Sequence, residues 1–172
     1  FEYITKTNNK CWTELYTNGG ARTEDFWYDL GTLGVEVLFH IDGLEDTNHL
    51  YRRKVNWNKL MRNVKAFVRG AKKNPRTKPK WRCFQFKHNE HQIEEAKRMT
   101  EEVGIKTFSP KIAHGLVDGK DFATMPAINK DGTLDYHIYP PVEKKNRVNY
   151  IANSDNMDII KVKNLEFGQG KP

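Results

Sequence analysis

Three units, each a short apolar strand followed by an amphipathic helix, come one after another in the first two thirds of the chain. The predicted strands are residues 13–17, 35–41, 81–86 and 105–108. The predicted helices are residues 24–30, 57–69 and 91–103, with Thr23 as N-cap of the first and Gly70 and Gly104 ending the other two. Strands that alternate with helices of this length need right-handed crossovers, which make neighbouring strands parallel. The pattern therefore predicts an α/β fold.

The regular alternation fades after Pro110, which predicts two parts: an α/β part at 1–110 and an irregular C-terminal extension at 111–172. Within the extension, alternating polarity at 134–139 predicts a peripheral antiparallel strand, and residues 168–172 are predicted to be disordered. Residues 71–80, with two prolines and five basic residues, are predicted to form a mobile connection.

Composition excludes several classes of protein. The 172 residues suit one domain, and 37% hydrophobic content is enough for a core. No apolar run approaches the roughly 20 residues of a membrane helix, and no secretory leader is recognisable, so a soluble, cytoplasmic protein is expected. Two cysteines, Cys11 and Cys83, are too few for a disulfide framework and are predicted to be free, buried thiols.

The net charge of +7 is unevenly distributed, because residues 47–89 contain 14 Lys or Arg and no Asp or Glu. Two interpretations stay open. The segment 52–82 contacts an anionic partner such as nucleic acid. Alternatively, its helical part is a solvated face, with basic residues opposite apolar ones. The basic residues are Lys59, Arg62, Lys65 and Arg69, and the apolar ones are Leu60, Val64, Phe67 and Val68.

Three polar segments lie at the ends of predicted strands: TNGG at 17–20, HIDG at 40–43 and KHNEH at 87–91. In a parallel barrel the carboxyl ends of all strands share one face, so these segments are predicted to converge on one site. Each also has a simpler explanation, namely a turn at Asn18, a loop cap at Asp42 and a helix cap at Asn89. His88 and His91 have no third ligand nearby, so no metal site is predicted.

Taken together, the strand ends resemble those of radical S-adenosylmethionine enzymes. The features are a strand ending in TNG, a strand ending in IDG with Tyr51 and Arg52 following, and the strand end HNEHQ at 88–92. The similarity is to the branch that carries a C-terminal SPASM-type extension, which includes phage and bacterial members. It covers residues 13–108, and residues 42–63 are its most specific part.

The resemblance implies the later strands of a parallel (βα)6 partial TIM-type barrel. In this family the barrel holds a [4Fe-4S] cluster and S-adenosylmethionine. Reductive cleavage of S-adenosylmethionine gives a 5′-deoxyadenosyl radical, which abstracts hydrogen from the substrate. The substrate here is unknown, with a peptide or a nucleic acid as the classes considered.

The resemblance also implies roles for residues of the second strand end. Arg52 stands where the family often has an arginine near the methionine carboxylate, and Asp42 stands where an acid shapes the turn and the pocket floor. His40 occupies a position that usually carries a small hydroxyl contacting the ribose, so it departs from the family pattern.

Four further residues are expected to bind cofactor by the same resemblance. Asn18 and Gly19 follow the first strand of the chain. Asn89 and Glu90 stand where later strands contribute contacts on the adenine side or the substrate side.

Two family motifs are missing from this sequence: the cluster loop Cys-x-x-x-Cys-x-x-Cys and the Gly-Gly-Glu-type motif that grips the cofactor amine. Cysteines for auxiliary clusters are missing as well. Both motifs belong before Phe1, so the chain is expected to be a fragment that is enzymatic only with an upstream half. The alternative is a non-catalytic half-barrel that uses its basic segment to bind nucleic acid or another polyanion.

Overall fold

The computed structural model describes residues 1–8, 10–113, 116–118, 121–143, 146, 150–153 and 156–161. Its helices are α1 (Glu2–Thr7), α2 (Glu24–Gly31), α3 (Asn48–Tyr51), α4 (Trp57–Ala71) and α5 (Ile93–Glu102). Its strands are β1 (Glu14–Thr17), β2 (Glu36–His40), β3 (Lys78–Gln85), β4 (Thr107–Ile112), β5 (Val117–Asp118), β6 (Asp121–Phe122), β7 (Met125–Ile128), β8 (Leu134–Ile138), β9 (Tyr150–Asn153) and β10 (Asn156–Lys161). The predicted α/β class is confirmed.

A six-stranded sheet in the order β1-β2-β3-β4-β9-β10 organises the chain. Strands β1 to β4 are parallel, and their order in the sheet follows their order in the chain. Strand β9 then pairs antiparallel with β4. Among the described strands the sheet is open, with β1 at one edge, and no closed barrel is seen.

Helices α2, α4 and α5 pack on one face of the sheet, where they form the main hydrophobic core. Trp27 of α2, Phe67 of α4 and Ile93 of α5 join Phe39 of β2 and Trp81 of β3 in a single buried cluster. Successive crossovers of one hand between strands in sequential order place these three connecting helices on the same side of the sheet. The opposite face of the sheet is therefore not covered by these helices.

The predicted helices form because capping residues stand at the ends of their apolar stripes. The Thr23 hydroxyl accepts a hydrogen bond from the Phe26 N–H, as predicted, and the Asn56 side chain accepts one from the Lys59 N–H at 2.9 Å. Gly104 has φ +88° just beyond α5, in the left-handed region typical of a helix stop.

Gly70 does not end α4, which was a wrong prediction. The helix continues to Ala71, and Gly70 lies where α4 contacts α2. A Cβ atom at Gly70 would lie 2.1 Å from the Tyr28 carbonyl oxygen, and one at Gly31 would lie 2.4 Å from the Phe67 carbonyl oxygen. The two glycines therefore permit a close approach of the helix backbones.

The segment 71–80 is also not the mobile connection that its composition predicted. Residues Lys78 to Lys80 already belong to β3, and Thr77 is buried. The Thr77 hydroxyl donates to the Gly31 carbonyl at 2.7 Å and accepts from the Gly34 N–H at 3.0 Å. Neighbouring loops thus hold the segment in place.

The short helices α1 and α3 and the strands of the extension other than β8 were not predicted, and the remaining differences concern boundaries. The third predicted helix is a 3₁₀ turn at Glu90–Gln92 followed by α5. Strand β4 begins two residues later than predicted and runs through Pro110, so the predicted boundary at residue 110 falls inside a strand.

The C-terminal extension contains the predicted antiparallel strand. Strand β8 pairs with β7 in a separate two-stranded sheet, and Ala127 and Ile138 contribute to a second buried cluster with Phe86. Residues 168–172 lie outside the described residues. In the part of the chain that is described, no helix has the length and apolar character needed to cross a membrane.

Candidate functional site

The candidate site lies where β2 and β3 end, on the sheet face opposite the core helices, which we call the second face. Side chains alternate along a strand, so Phe39 and Trp81 point into the core while His40 and Arg82 point to the second face. The loop after β2 carries Asp42 to the edge of this face.

A buried ion pair between Asp42 and Arg52 is the centre of the site. The Arg52 Nε–H donates to Asp42 Oδ2 at 2.5 Å. The Asp42 side chain is fully buried, whereas 21% of the Arg52 side chain is exposed. The Arg52 guanidinium also lies 4.8 Å from the centre of the Tyr51 ring, a cation–π contact. The arginine is therefore held on two sides while part of it reaches solvent.

Main-chain and amide groups fix the position of Asp42. Its Oδ1 accepts from the Phe84 N–H at 2.6 Å, and its own N–H donates to the Asn48 side chain at 2.9 Å. The Asn89 Nδ2 donates to the Asp42 carbonyl oxygen at 2.9 Å. Burial raises the pKa of the Asp42 carboxyl to about 6, and the Arg52 guanidinium and the Phe84 N–H oppose that shift. Near neutral pH the pair is thus ionised but sensitive to acid.

His40 joins the pair through its Nδ1 atom, which lies 3.2 Å from Arg52 Nη2. A guanidinium only donates hydrogen bonds, so Nδ1 accepts and the proton of the neutral ring is on Nε2. Burial, together with the charges of Arg52 and Arg82, lowers the pKa of His40 to about 4. His40 therefore presents a neutral N–H donor to the second face.

The first predicted strand end forms an ordinary turn. The Asn18 side chain accepts from the Gly20 N–H at 3.0 Å, which is the simpler of the two interpretations. Gly19 has φ +67°, and a Cβ atom there would lie 2.7 Å from Leu60 Cδ1. Gly19 is thus required for packing against α4, and the cofactor contacts of Asn18 and Gly19 stay predictions.

Asn89 and Glu90 make protein contacts that the sequence did not predict. Asn89 is fully buried, and besides its bond to Asp42 it accepts from the Phe86 N–H at 2.7 Å and donates to the Phe84 carbonyl at 2.8 Å. Glu90 accepts from the Val142 N–H at 3.1 Å and so anchors the C-terminal extension. Their predicted contacts with cofactor or substrate stay predictions.

The described residues offer no site for the family's cluster. No group of three or more His, Cys, Asp or Glu side chains in the described ranges is arranged to hold a metal ion. Cys83 is buried, as predicted, and burial raises the pKa of its thiol well above its ordinary value. Cys11 is only partly buried. Neither thiol belongs to a set that ligates iron.

The basic segment does not form one surface. Lys59, Lys65 and Arg69 are exposed on α4, as the solvated-face interpretation predicts. Arg82 lies across the sheet from them, on the second face. Arg53 forms an ion pair with Asp135 at 2.7 Å, which connects the segment to the β7–β8 hairpin.

Several residues of the site were not singled out from the sequence. Asn48 is one. Gln92 ends the HNEHQ segment but was given no role, and its Oε1 accepts from the Leu44 N–H at 3.0 Å while its Nε2 donates to Asp46 at 2.7 Å. Neither amide follows a recognisable pattern. Arg82 carried a usable signal, because a charged residue in the middle of an apolar strand must face away from the core.

Comparison with known proteins adds no relative: no family model, curated protein or solved structure matches this chain.

Proposed function

We propose that this chain supplies the later strands of a radical S-adenosylmethionine enzyme, with Arg52 binding the carboxylate of the cofactor. The observation that carries the proposal is the ion pair of Arg52 with the buried Asp42 at the end of β2. A guanidinium fixed in this way binds a planar anion without having to become ordered first.

The arrangement of β1 to β4 supports the barrel part of the proposal. Parallel strands in sequential order, with their helices on one face, are the repeating pattern of TIM-type barrels. In such barrels the ligand lies at the carboxyl ends of the strands, which is where Asp42 and Arg52 lie. We therefore propose that the sheet is part of a partial barrel completed by other residues.

Each residue of the pair has a distinct role in this proposal. The Arg52 Nε–H is engaged by Asp42, and Nη2 contacts His40, so the Nη1 donors are the ones directed at the carboxylate. Asp42 orients the guanidinium and offsets its charge. Tyr51 restricts the guanidinium from one side.

Arg52 would hold the carboxylate of S-adenosylmethionine, and the bound cofactor would supply the chemistry of hydrogen abstraction from a substrate, with a reduced cluster as the electron source. The donor set fits the cofactor carboxylate. It does not fit the cluster, since Cys83 is a core thiol and Cys11 belongs to no metal-holding group among the described residues. The chain's own residues therefore bind and orient, and the proposal assigns cluster ligation to residues outside this sequence.

A non-catalytic polyanion-binding protein is the second candidate, and the observation that favours it is the exposed basic face of α4. Each phosphate neutralised by a lysine or arginine releases counterions, so binding of single-stranded RNA should weaken steeply with salt. Replacing Lys59, Lys65 and Arg69 with Gln should abolish that dependence if the face is used. No binding at low salt would eliminate this candidate.

Titration of S-adenosylmethionine into the protein expressed from its complete reading frame tests the main proposal. Arg52→Ala should weaken binding about tenfold to a hundredfold, the range for a hydrogen bond to a charged group. Arg52→Lys should recover only part of this, because an ammonium keeps the charge but loses the planar donors.

Arg69→Ala is the matched control, because Arg69 is an exposed arginine on α4 and should leave binding unchanged. Arg53 is unsuitable as a control, since it holds the β7–β8 hairpin through Asp135. Equal losses for Arg52→Ala and Arg69→Ala would indicate general electrostatics, and no loss for Arg52→Ala would refute the proposal.

A further inference from the structure

We propose that the second face carries a binding site for a phosphate monoester group, centred on Arg82 and completed by His40, Ser109 and Lys111. The inference that the substrate carries a phosphate group rests on the function proposed above. The inference that this face binds phosphate does not depend on that function.

The register of the sheet places three of these residues in one row. His40 of β2 pairs with Arg82 of β3, and Arg82 pairs with Ser109 of β4. Residues paired across parallel strands point to the same face, and neighbouring strands are about 4.8 Å apart. Lys111 follows two positions after Ser109 on β4 and so points to the same face. The four residues therefore lie on one face of the sheet, around Arg82.

Each member of the row has a polar atom that is buried and without a hydrogen-bond partner among the described residues. The atoms are His40 Nε2, Arg82 Nε and Ser109 Oγ. Ser109 is 4% exposed, so its hydroxyl is largely shielded from water. A buried donor without a partner costs free energy, and three of them side by side are unusual in a native protein. One acceptor group with several oxygens would satisfy all three.

The charge balance of the face indicates an anion. Asp42 is neutralised by Arg52, and Glu36 is neutralised by Lys80. Arg82 and Lys111 form no ion pair within the described part of the chain. Burial lowers the pKa of the Lys111 ammonium, and the charge of Arg82 lowers it further. Two neighbouring cations therefore repel each other on this face.

A phosphate monoester fits this set better than a carboxylate. It carries close to two negative charges near neutral pH and three terminal oxygens. It can therefore neutralise both cations and accept from His40 and Ser109 together. A carboxylate would leave one positive charge unbalanced. Arg82 and His40 are only partly buried, so each residue keeps some surface in contact with solvent.

The test uses the whole chain, with inorganic phosphate as the probe and backbone amide NMR as the readout, at constant ionic strength. Phosphate should produce saturable shifts at the His40, Arg82 and Ser109 amides. Arg82→Gln should weaken this binding at least about tenfold. Ser109→Ala should weaken phosphate binding by a smaller factor. This second variant keeps the proposal testable if the Arg82 variant does not fold.

Arg98→Gln removes the same charge from an exposed position on α5, on the opposite side of the sheet, and should leave phosphate binding unchanged. Absence of saturable shifts in the unmodified chain would overturn the proposal, and so would an equal effect of Arg98→Gln and Arg82→Gln. Shifts of the same size with acetate would overturn the choice of a phosphate. Binding of phosphate without binding of S-adenosylmethionine would refute the proposed function and leave this site intact.

Discussion

The Asn89 side chain donates a hydrogen bond to the main-chain oxygen of Asp42 at 2.9 Å, across 47 positions of the chain. The same amide group donates to the Phe84 carbonyl, and its oxygen accepts from the Phe86 N–H. Asn89 thus connects the end of β3 to the loop that follows β2. The position of the Asp42 carboxylate depends on this connection.

Asn89→Ala is predicted to destabilise the fold by at least about 2 kcal/mol, because it leaves buried main-chain groups without partners. The measurement is the free energy of unfolding from urea denaturation. Asn58→Ala, an exposed position on α4, is the matched control and should change stability by less than about 0.5 kcal/mol. Similar values for the two variants would contradict a connecting role for Asn89.

Arg52→Ala is predicted to destabilise the fold by about 3 kcal/mol above pH 6, since it leaves a buried carboxylate unpaired. Burial raises the pKa of Asp42 to about 6 from 3.8. The contribution of Asp42 to stability is therefore present when its carboxyl is protonated. This contribution is lost as the pH rises from 3.8 to about 6. Protonation removes the charge that Arg52 balances, so the cost of Arg52→Ala should shrink below pH 5.

Urea denaturation of Arg52→Ala at several pH values checks this prediction. Arg69→Ala should show a small effect at every pH. If the loss of unfolding free energy in Arg52→Ala does not vary with pH, the ion pair with Asp42 is not the source of that loss.

His40 is predicted to titrate near pH 4, which ring-proton NMR can measure. Burial lowers the pKa of His40 from its ordinary value of 6.5, and Arg52 and Arg82 add to the shift. The unfolded chain therefore binds more protons between pH 6.5 and 4, and this group's contribution to stability is lost as the pH falls through that range. Arg82→Met should raise the pKa of His40 without restoring 6.5, because burial remains. Titration of His40 at its ordinary value would contradict the deduced contact with Arg52.

Gly70→Ala is predicted to destabilise the fold by about 1 to 3 kcal/mol, the usual cost of overpacking. The added methyl would lie 2.1 Å from the Tyr28 carbonyl oxygen, so α2 and α4 would have to separate. Helix propensity alone predicts the opposite sign, since Ala is favoured over Gly by about 1 kcal/mol in a helix. Lys65→Ala, exposed on the same helix, is the control, measured with Gly70→Ala by thermal and urea unfolding. Stabilisation by Gly70→Ala would show that the helices can move apart freely.

Local patterns were sufficient to predict β1 to β4, the helices α2, α4 and α5, and the face of α4 that contacts solvent, but not the short helices α1 and α3. Thr23 and Gly104 were correctly assigned to helix ends, because a cap depends on residues next to it in the chain. Gly70 was assigned wrongly for the same reason: its neighbours in sequence suggest a helix stop, whereas its neighbour in space is the backbone of α2.

By itself the sequence determined the alternation of strands and helices and the clustering of polar residues at strand ends, since both depend on spacing along the chain. Only the tertiary structure decided which of those polar groups meet. The Asp42 to Arg52 pair, the Asn89 connection and the row of His40, Arg82 and Ser109 all depend on strand register and loop path. Burial then set the protonation of Asp42 and His40, because the cost of a buried charge depends on what surrounds it in three dimensions.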